Sequence, residues 1–148
     1  MRVRQSVYID RPPAEVFAFV ADHANDSLWR TELDSHEYVG DLRQGIGARM
    51  HQRLSYQGRT AEVSVEETDH QEGKRICFRA HGGVRAHGCY DLLSDGPGTC
   101  FQVAITVELK GSETMLERYL NQALESAVEI DLARLKAVME SLAKEAAS

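Results

Sequence analysis

The sequence predicts an α+β domain: one antiparallel sheet of seven strands covered by a long C-terminal helix, with two short helices between strands 1 and 2. Three observations carry this reading. Apolar residues alternate over residues 2–10 and again over residues 35–109. Turn signals break up the second stretch. After Gly111 and Ser112 the period becomes 3.6 for about 30 residues.

The elements follow in order. Val3, Val7 and Ile9 share one side of the opening strand, which Pro12 and Pro13 end. Pro13 suits the first turn of a helix, where its missing N–H leaves no bond unmade. In PAEVFAFVAD, Val16, Phe17 and Val20 share a helical face, and a second short helical segment covers residues 27–29. Turns recur at Gly45/Gly47, Gln57-Gly58, residues 71–74, Gly82-Gly83 and residues 94–98, leaving six short strands. Leu116, Leu120, Ala123, Leu124, Ala127, Val128, Leu135, Val138 and Leu142 then form one stripe, on a helix of roughly 45 Å. A sheet with one apolar face needs a cover, and this helix is the only element large enough.

A one-residue slip turns every side chain to the other face, so registers can be tested against the pattern. A turn at Gln57-Gly58 pairs Tyr56 with Arg59, Leu54 with Ala61, Gln52 with Val63 and Met50 with Val65. The next hairpin is expected to pair Val65 with Ile76 and Val63 with Phe78. A three-residue loop at 82–84 pairs Phe78 with Gly88 and Ile76 with Tyr90. It keeps one face apolar, which a two-residue Gly-Gly turn does not. The last hairpin is expected to pair Leu92 with Thr99 and Tyr90 with Phe101. The inner face then holds Met50, Gln52, Leu54 and Tyr56; Ala61, Val63 and Val65; Ile76, Phe78 and Ala80; Ala86, Gly88, Tyr90 and Leu92; and Phe101, Val103, Ile105 and Val107. The opposite face is polar.

The small residues Ala80, Ala86 and Gly88 are expected to leave space between sheet and helix. Gln52, Tyr56 and Tyr90 place polar tips among apolar walls, as small-molecule pockets do. The alternative is that a large helix residue fills the space and the tyrosines reach water at the rim. No inward His, Lys, Asp or Glu is expected in the strands. Asp131 interrupts the helical stripe and is expected at its edge, paired with Arg134 or Lys136 or capping a loop.

Other classes are excluded by composition and spacing. The 148 residues are expected to form one domain over 1–148, and 43% hydrophobic with 27% charged residues is globular rather than disordered. A net charge of −6 argues against nucleic acid. No apolar run approaches the roughly 20 residues that span a bilayer, so membrane insertion is not expected. MRVRQSVYID lacks the apolar core of a signal peptide, and a cytoplasmic location is expected. Cys77 and Cys89 oppose each other across two strands within disulfide reach; in a reducing cytosol two free thiols are expected. His81, His87 and Cys89 lie beside Arg79 and Arg85, so no metal is expected, nor is any cofactor. The outer basic residues Arg49, His51, Arg53, Arg79, His81, Arg85 and His87 mix with Glu62, Glu66 and Asp91 as an ordinary surface.

Several segments resemble the START-related helix-grip superfamily (Bet v 1-like, SRPBCC), and within it the bacterial polyketide cyclase/dehydrase-type proteins. They are VYIDRPPAEVFAFVAD, the tryptophan of NDSLWR, the turn GIGARM, HGCYDL followed by GTCF, and IDLARLKAVMES. The likeness runs over nearly the whole chain; Pro12 departs from it where relatives usually carry a capping Ser or Asp. It implies a curved sheet wrapped around the C-terminal helix and a cavity for a lipid, polyketide or quinone. It also implies that Phe17, Val20 and Trp29 close one end while Leu116, Tyr119, Leu120, Ala123, Leu124 and Ala127 form the helical wall. The expected function is non-catalytic binding of an apolar small molecule by a monomer or homodimer. A cyclase, aromatase or dehydratase and a co-chaperone-like interaction module are the alternatives.

Overall fold

Alternating apolar residues and tight turns build one antiparallel sheet, seen in a computed structural model that describes residues 1–56, 58–108 and 114–147, without the side chains of 56, 114–120 and 147. The strands are β1 (Arg2–Ile9), β2 (Leu33–Val39), β3 (Arg49–Tyr56), β4 (Arg59–Gln71), β5 (Arg75–Gly82), β6 (Arg85–Asp95) and β7 (Gly98–Glu108). Their order is β1-β7-β6-β5-β4-β3-β2, a meander whose last strand pairs with the first. Between β1 and β2 come α1 (Pro13–Ala21), a single 3-10 turn (His23–Asn25) and α2 (Asp26–Trp29). The long helix α3 (Thr114–Ala147) lies against β1 and α2. The architecture is the expected one. Among the described residues no helix is long and apolar enough to cross a membrane.

Local chemistry explains the short elements. Pro12 gives α1 no side-chain cap, but its carbonyl accepts from Glu15 N and Val16 N. Asp22 Oδ1 accepts from Ala24 N at 3.1 Å and so starts the 3-10 turn. On α3 the buried face is Val128, Leu132, Leu135 and Met139, four residues at helical spacing. Leu142, expected on that stripe, is exposed, while Leu132 and Met139 take its place in the core. Leu116 and Leu120 have side chains outside the described set.

Two of the four expected registers hold: β3 with β4, and β5 with β6 through Phe78↔Gly88 and Ile76↔Tyr90. At the β4–β5 hairpin Val65 meets Ala80 and Val63 meets Gly82, not Ile76 and Phe78. The strands there are longer, and a β-bulge leaves Thr68 without a partner between Glu67↔Phe78 and Asp69↔Cys77. The extra residue reverses the alternation, so Glu67 and His70, three positions apart, both lie on the inner face beside Phe78 and Ile76. This corrects the expectation of no inward acid or histidine in the strands. At the β6–β7 hairpin Leu92 meets Phe101 and Tyr90 meets Val103, two residues from the expected register. The turn there has only two central residues, Gly96-Pro97, and Gly96 takes a positive φ of 56°. An even shift keeps the faces unchanged.

Cys77 and Cys89 oppose each other as expected, but they are joined in a disulfide rather than free. Facing positions on neighbouring strands bring their side chains together on the convex face.

Candidate functional site at the concave face

The concave face has a sealed end and a more open one. At the sealed end, Phe17 and Val20 of α1 and Trp29 of α2 meet Ile76, Tyr90, Leu92, Phe101 and Val103 of the sheet, with Leu132, Leu135 and Met139 of α3 in the same buried cluster. Trp29 stands edge-on to Tyr90 at 5.7 Å and to Phe101 at 6.2 Å between ring centroids. Met50, Gln52 and Val63 are also buried. Toward the other end Leu54, Ala61, Val65, Phe78, Ala80, Ala86, Ile105 and Val107 are half-buried, as are Ala123, Leu124 and Ala127 on α3. The side chains of Tyr56, Leu116, Tyr119 and Leu120 lie outside the described residues.

Gly88 has a different reason from the one its sequence context suggests. A Cβ there would stand 2.5 Å from Ala104 O and 3.1 Å from Phe78 Cζ. The glycine allows close approach of β7, and the Phe78 ring covers it. The small side chains over the open region are therefore Ala80 and Ala86.

A polar group sits where the two regions meet. Arg30, just after α2, donates from Nη1 to Gln52 Oε1 at 3.1 Å and from Nη2 and Nε to Glu32 Oε1 at 3.3 and 3.4 Å. Gln52 Nε2 lies 3.5 Å from His36 Nδ1. Asp131 is buried, not at the stripe's edge; among the described residues it pairs with neither Arg134 nor Lys136 but caps the loop after α2, the other role expected of it. Its Oδ1 accepts from Thr31 N at 2.9 Å and Thr31 Oγ1 at 2.8 Å. Burial and the neighbouring Glu32 charge push the Asp131 carboxyl up to about 7. Burial would raise Glu32 too, but the Arg30 charge and the hydrogen bond from Asp131 hold it below the usual range. Burial raises Tyr90 well above the usual phenol range, so its hydroxyl stays protonated and can donate.

A second polar group pins the short helices to the bulge. Glu67 is 1% exposed. Its Oε1 lies 3.0 Å from His70 Nδ1, and its Oε2 accepts from Gly45 N at 2.9 Å and lies 3.4 Å from His23 Nε2. His23 Nδ1 lies 3.4 Å from Asp26 Oδ2. Burial would lower His23, but Asp26 and Glu67 outweigh it and lift the ring to about 9. Burial also opposes protonation of His70, and Glu67 with Glu72 raises it. The ring edge of His70 meets Phe17, with centroids 5.3 Å apart. Buried atoms without a hydrogen-bond partner among the described residues include Trp29 Nε1, Asp26 Oδ1 and His36 Nε2. No His/Cys/Asp/Glu cluster among the described residues has the arrangement of a metal site.

Alternation revealed the aliphatic walls, Gln52 and Tyr90. It missed Arg30 and Glu32, which lie in a link with no period, Glu67, which continues the alternation of Val63 and Val65 beyond the expected end of the strand, and His70, which the bulge turns inward. A charged run beside a lone tryptophan, WRTE, was the only available signal for the first pair.

An open antiparallel sheet gripping a terminal helix, with polar groups set into an apolar concave face, defines a helix-grip protein of the SRPBCC superfamily. The chain belongs to the polyketide cyclase/dehydrase and lipid transport family, whose model matches residues 1–140. No curated protein matches it significantly in sequence. Among solved structures, TTHA0849 from Thermus thermophilus is similar with a TM-score of 0.84 at 24% identity, covering 96% of this chain and 99% of that one. The Zhui aromatase/cyclase from Streptomyces sp. R1128 superposes with a TM-score of 0.78 at 15% identity, covering 95% and 93%. Ara h 8.0201 superposes with a TM-score of 0.73 at 16% identity, covering 95% and 98%. At these identities the likeness establishes the fold.

Proposed function

We propose that the chain binds an apolar small molecule of lipid, polyketide or quinone type between the sheet and α3, without altering it. The observation that supports this most is the half-buried wall of Leu54, Val65, Phe78, Ala80, Ala86 and Ile105, adjoining Arg30, Gln52 and Tyr90. Apolar walls with a few oriented polar groups suit such a ligand. Native mass spectrometry of protein gently extracted from its host is expected to show a co-purified apolar compound. A consistently empty protein would contradict the reading.

A second reading, a cyclase or dehydratase, gains from one observation. Asp131, raised to about 7, can exchange a proton near neutrality. Under that reading Asp131→Asn abolishes turnover of the co-purified compound while binding persists; under the first, the wild type converts none of it.

A further inference from the structure

The cation at the polar end of the concave face is already taken up by its neighbours. Arg30 Nη2 and Nε approach Glu32 Oε1, Nη1 donates to Gln52 Oε1, and Nη1 lies 3.9 Å from Asp26 Oδ2. Glu32 is itself held: Thr31 Oγ1 reaches its Oε2 at 3.4 Å, and the Asp131 carboxyl hydrogen-bonds it. Asp26 turns to His23 as well, and His36 stands behind Gln52. Among the described residues, α2, the link after it and α3 face Arg30 with carboxyl groups; β3 and β6 offer the neutral Gln52 and Tyr90.

A free guanidinium in a dry site is a fork that takes a carboxylate or phosphate through two parallel hydrogen bonds. Here an anionic ligand would have to displace Glu32, which the Asp131 carboxyl holds in place, or lie beside it, with Asp26 close behind. Poor screening inside the protein magnifies that repulsion. An uncharged oxygen meets no such barrier and can accept from the Tyr90 hydroxyl. We propose that Glu32 and Asp131 are specificity-determining residues, which hold Arg30 so that the pocket rejects carboxylate-ended and phosphate-ended ligands and takes an apolar molecule whose polar end is an uncharged oxygen. This rests on the binding reading above.

The test is calorimetric titration with two probes of one ring system, 2-acetylnaphthalene and 2-naphthoate. The wild type is expected to bind the ketone at least about tenfold tighter than the carboxylate. Glu32→Gln frees Arg30 and is expected to tighten 2-naphthoate binding by at least about tenfold. The double variant Arg30→Met, Glu32→Gln, which removes the cation together with its partner, is expected to lose that gain. Equal binding of both probes by the wild type would overturn the selectivity and leave the binding reading standing. No gain in a folded Glu32→Gln, or a gain that persists in the double variant, would do the same. Binding of neither probe would overturn both readings. If Glu32→Gln alone fails to fold, the wild-type ratio still decides the matter.

Discussion

At one end of the concave face Phe101, Leu92 and Trp29 are sealed with Leu135 and Met139; at the other, Ala80, Ala86 and Val107 stay half-buried, as do Ala123, Leu124 and Ala127 on α3. Both ends use the same strands and the same helix, and they differ in side-chain volume. Three aromatic rings in mutual contact fill the gap at the sealed end, while alanines leave surface uncovered at the other. The sealed end therefore carries stability, and the half-buried end is where the proposed ligand would lie.

That contrast can be broken by mutation. Phe101→Ala should be the most damaging change, costing about 3–5 kcal/mol in urea unfolding, because a sealed core cannot collapse around the void. A cost below about 1 kcal/mol would erase the distinction between the ends.

The His23 pair tests the same frame through pH. The folded state raises His23 from 6.5 to about 9, so its contribution is complete below the unfolded value and is lost as pH rises through about 9. For a ring this deeply buried the effect is on the order of 3 kcal/mol. Asp131, also raised, works in the same direction, with its contribution lost as pH rises through about 7. Urea unfolding should thus show stability falling in two stages, from about pH 4 to about pH 7 through Asp131 and from about pH 6.5 to about pH 9 through His23. His23→Gln should flatten the slope at the upper end of the range; an unchanged slope would remove His23 from the account.

On the convex side, Cys89→Ser should cost about 2–3 kcal/mol through the freed unfolded chain. It asks whether the open end depends on that brace, because Gly88 and Tyr90 flank Cys89. Gly88→Ala should cost about 1–3 kcal/mol, since the backbone of β7 has to move away. Ala86→Leu should be the mildest, within about 1 kcal/mol of wild type in unfolding.

Much of the frame was legible because turn chemistry and alternation are local signals. Gln57-Gly58 and the loop at 82–84 set two registers correctly, and with them the facing of Cys77 and Cys89. The bulge at Thr68 was not legible, because nothing in EETDHQ marks which residue is extra, and its cost was the inward placement of His70; Glu67 was missed because pairing Val65 with Ile76 ended the strand before it. Gly96-Pro97 could close either a longer or a shorter turn, and the tighter one moved β7 by two residues. The sequence suggested a gap at Gly88, where the structure shows close backbone approach and a covering Phe78. Arg30 and Glu32 carry no periodic signal, and their meeting with Asp131, about a hundred residues away, depends on how α3 docks.

The central claim is that the alanine-lined end takes up an apolar molecule. Titrating N-phenyl-1-naphthylamine, an uncharged fluorescent probe, into wild type and Ala86→Leu tests it most directly. The account predicts saturable uptake by the wild type and a loss of at least about tenfold in affinity in a variant that melts normally. Undiminished uptake by folded Ala86→Leu would contradict it.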